Sequence, residues 1–106
     1  MSDKVELIAA AQVFTFAGPP AGIQLKSNYG FKSSARNSDG SYVLTLDDKH
    51  DAHKLVINVT PNNTLEADAV ASPIGTGDTN QIQINTFVGG DAVDSPFFIT
   101  VYRVRS

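Results

Sequence analysis

Five residues that could ligate a metal or carry protons lie within seven positions: Asp47, Asp48, His50, Asp51 and His53. Imidazole and carboxylate together suit zinc or another transition metal. His50 and His53 are three apart, a spacing that shares one face on a helix. Asp48, His50 and His53 form the best ligand set in the chain. The run Asp47–Lys54 is dense in charge, however, and reads as a loop between strands. In a loop this spacing fixes no geometry, so the expectation is a solvated acidic turn with no metal assigned.

The run Gly75-Thr76-Gly77-Asp78-Thr79-Asn80 has the composition of a calcium loop. It lacks the ligand spacing and terminal glutamate of an EF-hand, and it lacks Gly-Lys-Ser/Thr for phosphate, so it reads as a surface turn. Nucleophilic catalysis needs Ser or Thr beside His and a carboxylate, and no Gly-x-Ser-x-Gly elbow is present. Both histidines sit in the acidic run. The residues therefore indicate no catalytic group and no cofactor. Asn58-Val59-Thr60 and Asn62-Asn63-Thr64 match the glycosylation acceptor pattern, as an Asn- and Thr-rich chain will by chance. Arg36, Arg103 and Arg105 would form a small basic spot if their strands are neighbours. Tyr29, Tyr42 and Tyr102 could stack on sugars, although two of them stand within strand patterns and read as packing.

The 106 residues suffice for one domain with a modest core. Charged residues make up 18%, below the usual ~25%, so the surface is either quietly polar or partly apolar and covered by a partner. The net charge is −3 and the basic residues are scattered, which argues against electrostatic capture of nucleic acid. Cysteine is absent, which excludes a disulfide framework and a thiolate nucleophile. No run approaches the ~20 apolar residues of a membrane span, and Asp3 and Glu6 interrupt any signal-peptide pattern.

Frequent Gly, Pro, Asn, Asp and Ser divide the chain into about seven or eight short strands, the spacing of an all-β sandwich. Lys4–Phe16 is ambiguous. Asp3 and Glu6 resemble a capping box and the alanines favour helix, while Val13–Phe16 favours strand. Val5–Ala11 fits either. Residues 1–22 belong to the sandwich as a strand or reach out as an arm to a neighbour. Ile23–Tyr29 reads as a short strand or extended loop. Phe31–Asn37 and Ser41–Leu46 form the best hairpin, joined by Asp39-Gly40. Leu55–Thr60 turns Leu55, Ile57 and Val59 inward. Leu65–Ser72 puts Ala67, Ala69 and Ala71 on one face. Ser72–Asn80 reads as a loop. Gln81–Val88 alternates Ile82, Ile84 and Thr86 against Gln81, Gln83 and Asn85.

The last strand, from Pro96 to Val104, is the strongest. One phase carries Phe97, Ile99 and Val101, and the other Phe98, Thr100, Tyr102 and Val104. A strand with one wet face alternates apolar with polar. This one does not, so it belongs in the middle of a sheet. The second sheet would cover one face, and a neighbouring subunit the other.

A pattern runs through these strands. It comprises Tyr29-Gly30-Phe31-x-Ser33, Gly40-Ser41-Tyr42-Val43-Leu44-Thr45-Leu46, Val56-x-x-Val59-Thr60-Pro61, Ile82-x-Ile84-x-Thr86, and Asp94-Ser95-Pro96-Phe97-Phe98-Ile99-Thr100-Val101-Tyr102. It resembles the small C-terminal β-domains of phage fibre, spike and head-decoration proteins and of related prophage-type bacterial proteins. The likeness covers about residues 29–104 and consists of strand motifs, not catalytic signatures. No long stalk accompanies it. The resemblance implies a jelly-roll sandwich assembled as a homotrimer, in a virion protein made in the host cytoplasm without a signal peptide. Implied partners are other virion proteins and a host-surface glycan or receptor. Phe98, Tyr102, Ala9 and Ala11 would then pack around a threefold axis. A reading from a different class is a carbohydrate-binding, lectin-like module whose loops at Asp47–Lys54 and Ser72–Asn80 hold the ligand.

Overall fold

Period-two alternation organises almost every described residue. The computed structural model describes residues 4–16, 21–62 and 67–105. The strands are β1 (Lys4–Phe16), β2 (Gly22–Tyr29), β3 (Phe31–Ser38), β4 (Ser41–Asp51), β5 (Leu55–Pro61), β6 (Ala67–Pro73), β7 (Asp78–Val88), β8 (Asp91–Ala92) and β9 (Phe97–Arg105). A single 3₁₀ turn, Ala52–Lys54, joins β4 to β5. Among the described residues no helix is long and apolar enough to cross a membrane.

All pairings are antiparallel and form two sheets. The first has the order β2-β1-β9-β5. The second has the order β3-β4-β7-β6, with β8 beside β7. The all-β sandwich expected from the sequence is present, and its last strand lies inside a sheet. The core lies between the sheets. Ala9, Ala11, Val13, Phe97, Ile99 and Val101 face it from the first sheet. Tyr42, Leu44, Leu46, Ile82 and Ile84 face it from the second. The Tyr42 and Phe97 rings meet at 5.6 Å with a 43° tilt.

Two ambiguous segments resolve. Val5–Ala11 is strand throughout, because β9 pairs with β1 from Lys4 to Val13. That pairing outweighs the helix propensity of the alanines. The run Asp47–Lys54, expected as a loop, is strand to Asp51. There β4 pairs again with β7 through His50–Thr79 and Asp51–Asp78. The expected loop at Ser72–Asn80 likewise shrinks to a turn at residues 74–77.

The predicted β3–β4 hairpin forms, and Ser38 faces Ser41 across Asp39-Gly40. Only Gly40 is left-handed, with φ 66°. This suits a G1 bulge, whereas a type I′ turn needs positive φ at both central residues. A Cβ on Gly40 would stand 2.5 Å from the Thr86 carbonyl. The turn is thus pressed against β7, and the Thr86 N–H donates to the Gly40 carbonyl at 2.9 Å.

Asp94 ties this turn to the start of β9. Its carboxylate accepts from the Gly40 N–H (2.8 Å), the Tyr42 hydroxyl (2.8 Å) and Arg36 Nε (2.8 Å). Gly40, Tyr42, Thr86 and Asp94 all belong to the strand motifs described above. In the fold they form one hydrogen-bonded knot. Burial alone would raise the Asp94 pKa, but the Gly40, Tyr42 and Arg36 contacts outweigh it and hold the carboxyl below its ordinary value. Burial pushes the Tyr42 phenol up to about 12.

Two pH effects follow. The Asp94 contribution to stability is in place above the unfolded value of about 4 and is lost as pH falls through the lower folded value. Asp94→Asn should therefore flatten the acid limb of unfolding free energy against pH, measured by urea titration. The Tyr42 contribution is in place below about 10, the unfolded value, and is lost as pH rises from there through the folded value. Tyr42→Phe should flatten the alkaline limb. Unchanged slopes would count against the knot as the source.

Candidate functional site

The opposite end of the sandwich, where β1 begins and β4, β9 end, carries several backbone irregularities. The pairing of β1 with β9 shifts between Leu7 and Ala9. The pairing of β4 with β7 is interrupted between Thr45 and His50. The chain turns from β2 into β3 through Tyr29 and Gly30. Bulges of this kind re-aim side chains and stop pairing.

Gly30 governs the corner. Its φ is 85°, and a Cβ there would stand 2.1 Å from the Ile8 carbonyl oxygen and 2.9 Å from Ala9 Cα. No side chain fits. The Asp47 N–H donates to the Gly30 carbonyl at 2.9 Å, pinning β4 to the corner. The Asn28 side chain brackets it, donating to the Phe31 carbonyl (2.8 Å) and accepting from the Phe31 N–H (3.3 Å). Ser27 just before it has φ 51°, the one non-glycine positive φ among the described residues.

These irregularities open a cleft of about 350 Å³ lined by Glu6, Tyr29, Asp47, Asp48, His50 and Arg103 among others. Asp48 and His50 continue the phase of Leu44 and Leu46 past the end of the core. Tyr29 is 59% exposed, so its ring is available to a ligand. A second cleft of about 350 Å³ adjoins it, sharing His50 and Arg103 and adding Lys49, Lys54, Asp78 and Arg105. The Arg103 guanidinium pairs with Glu6 through Nη2, and Arg105 lies 3.8 Å from the other Glu6 oxygen. Arg103 Nε is buried and has no acceptor among the described residues.

No family model, curated protein or solved structure matches this chain.

Of the suggested metal ligands, Asp48 and His50 line the first cleft, while His53 does not. His53 sits exposed in the 3₁₀ turn, its N–H donating to Asp51 Oδ1 at 3.0 Å. Among the described residues no three His, Asp or Glu side chains gather into a metal site. The glycine-rich run supplies only Asp78 to the clefts. The suggested arginine spot divides. Arg103 and Arg105 share the second cleft, while Arg36 bonds Asp39 and Asp94 at the knot. Asn58 is exposed on β5, whereas Asn63 and Thr64 of the second acceptor pattern lie outside the described residues.

The suggested subunit contacts also divide. Phe98 and Tyr102 are on the outer face of the first sheet, with Phe98 39% exposed. Ala9 and Ala11 are not on that face. Both are buried in the chain's own core. Small side chains there do admit a second backbone, but it is the chain's own Gly30 corner. This corrects their placement at a boundary between copies.

The packing account has a direct check. Gly30→Ala should destabilise the domain by about 3 kcal/mol, from left-handed strain plus collision with β1. Gly75→Ala keeps only the strain, since nothing lies within 4 Å of a Cβ there, and should cost about 1 kcal/mol. Equal losses in thermal denaturation would remove the argument that Gly30 is fixed by close packing.

Proposed function

We propose that this chain is a non-enzymatic interaction protein, a phage virion component of the head-fibre, spike or decoration type that assembles as a homotrimer. The observation that carries the reading is the outer face of the first sheet. On the interior strand β9 it presents Phe98, Tyr102 and Val104. Across the ladders Val5 opposes Val104, and Leu7 and Val56 flank Tyr102 from the two sides. Val5, Leu7 and Val56 are 65%, 42% and 46% exposed. Val5, Leu7, Val56, Tyr102 and Val104 adjoin one another, while Phe98 stands apart between Gln12 and Thr60, and an exposed apolar patch on a sheet face favours cover by another protein surface. A second sheet face packs well on such a patch, because two faces interdigitate at about 10 Å.

The virion assignment rests on the resemblance over about residues 29–104. Jelly-roll connectivity is its finer statement of the fold. The side-by-side pairing of first and last long strands supports it, while the β1–β2 and β3–β4 hairpins within single sheets depart from a plain version. Partners in this reading are further copies, other virion proteins and a host surface. The lectin-like reading is the second one, favoured by the polar clefts at the Tyr29 end.

Light scattering on a sizing column tests the assembly. The expected mass is three times the 11.3 kDa chain. Phe98→Asp and Tyr102→Asp should each return a single-chain mass without loss of fold, since each would bury a charge at the contact. A single-chain mass for the unaltered protein, or a trimer indifferent to both changes, would falsify the reading.

A further inference from the structure

The two end clefts adjoin at His50 and Arg103, so that they present two lobes of one polar surface with charge separated between them. The first lobe holds three carboxylates, Glu6, Asp47 and Asp48, against one arginine, Arg103. The second holds four cations, Lys49, Lys54, Arg103 and Arg105, against two carboxylates, Asp51 and Asp78. Arg103 and His50 are the shared wall. Each lobe falls in the ~300–1,000 Å³ range of small-ligand clefts.

The two lobes ask for different chemistry. Carboxylates accept hydrogen bonds from hydroxyl pairs, and the exposed Tyr29 ring offers an apolar plane with a polar tip. That combination suits a neutral sugar ring. The second lobe suits an anion, and an arginine fork matches a carboxylate in particular. Arg103 is incompletely engaged. Among the described residues Glu6 takes one of its nitrogens, and buried Nε has no acceptor. A nucleic acid strand fits poorly, because its continuing phosphates would run into Glu6, Asp47 and Asp48.

We infer that this two-lobed groove binds an oligosaccharide bearing an acidic sugar, with a neutral ring on Tyr29 and the carboxylate in the lobe of Lys49, Lys54 and Arg105. The inference rests on the chain being a contact-making protein but not on its oligomeric state. The groove touches the apolar sheet face only at its border, through Leu7 and Val104. The two can therefore fail separately.

The test is an NMR titration of the isotope-labelled full chain with three tetrasaccharides: hyaluronan and unsulfated chondroitin as acidic probes that alternate acidic with neutral rings, and chitotetraose as the neutral one. Either acidic probe should shift the amides of Tyr29, Asp47 to His50 and Arg103 to Arg105. Chitotetraose should bind about tenfold more weakly. Lys54→Glu changes an exposed side chain and should abolish the acidic preference while keeping neutral binding. Tyr29→Ala, also at an exposed position, should weaken all three probes about tenfold. No localised shift with any tetrasaccharide would overturn the proposal, as would equal affinity for neutral and acidic probes. Free glucuronate binding as tightly as the acidic tetrasaccharides would reduce the groove to an anion pocket and also overturn it. Light scattering of the same samples separates these outcomes from failure of the trimer.

Discussion

The fold depends on where one carboxylate sits. Asp94 lies where the chain leaves β8 in the second sheet and enters β9 in the first. There it accepts from a backbone N–H, a buried phenol and a guanidinium. An ionised acceptor with three good donors makes bonds stronger than neutral ones. Without it the Tyr42 hydroxyl would lose its charged partner and its shortest bond, keeping only the longer contacts to Thr86 Oγ1 (3.4 Å) and from the Ser95 N–H (3.3 Å), and a bond to a charged group contributes more than a neutral one. The knot thereby fixes the β3–β4 turn against the crossing and sets the register in which β9 begins.

That register has consequences at the other end. With Phe97, Ile99 and Val101 committed inward, Phe98, Tyr102 and Val104 must face out. A one-residue slip would exchange the two sets, so the apolar outer patch is as firmly specified as the core. The same inward phase ends in Arg103, where the core runs out and the polar groove begins. The small Ala9 side chain beside it admits the Gly30 corner, which places Tyr29 at the rim. The bulged turn held by the knot at one end and the broken ladders of β1 and β4 at the other are therefore joined through one alignment of β9 between its neighbours.

The parts legible in the sequence were those written in period two. The hairpin at Asp39-Gly40, the inward series Leu55, Ile57, Val59 and the alternation of Ile82, Ile84, Thr86 all fall where residue type predicts. The charged end of β4 was hidden because composition dominated phase. Yet Leu44, Leu46, Asp48 and His50 follow one another at period two in the sequence, and that spacing was the available signal even though the ladder to β7 breaks between Thr45 and His50. The alanines of β1 were legible as small but not as sites of approach, since the approaching backbone comes from Gly30, about twenty residues away. Asp94 was visible only as a member of a motif. Its partners Arg36 and Tyr42 are 58 and 52 positions distant, beyond any local pattern. The sheet order was likewise beyond reach, because alternation says which face is buried and not which strand lies beside which.

The two proposed surfaces gain meaning from their contact. The apolar patch and the groove share Leu7 and Val104. Copies that cover the patch of one another would carry their grooves at the rim of the assembly, still open to solvent and held in a fixed array. A polar groove with separated charge binds an acidic sugar through a few exposed contacts, each screened by salt and individually modest. Weak single-site affinity becomes useful when several sites engage one surface together, because the second contact is made at the effective concentration set by the first. A low-charge domain with one apolar face and one polar groove is suited to that use. The face would supply the number of sites, and the groove the selectivity.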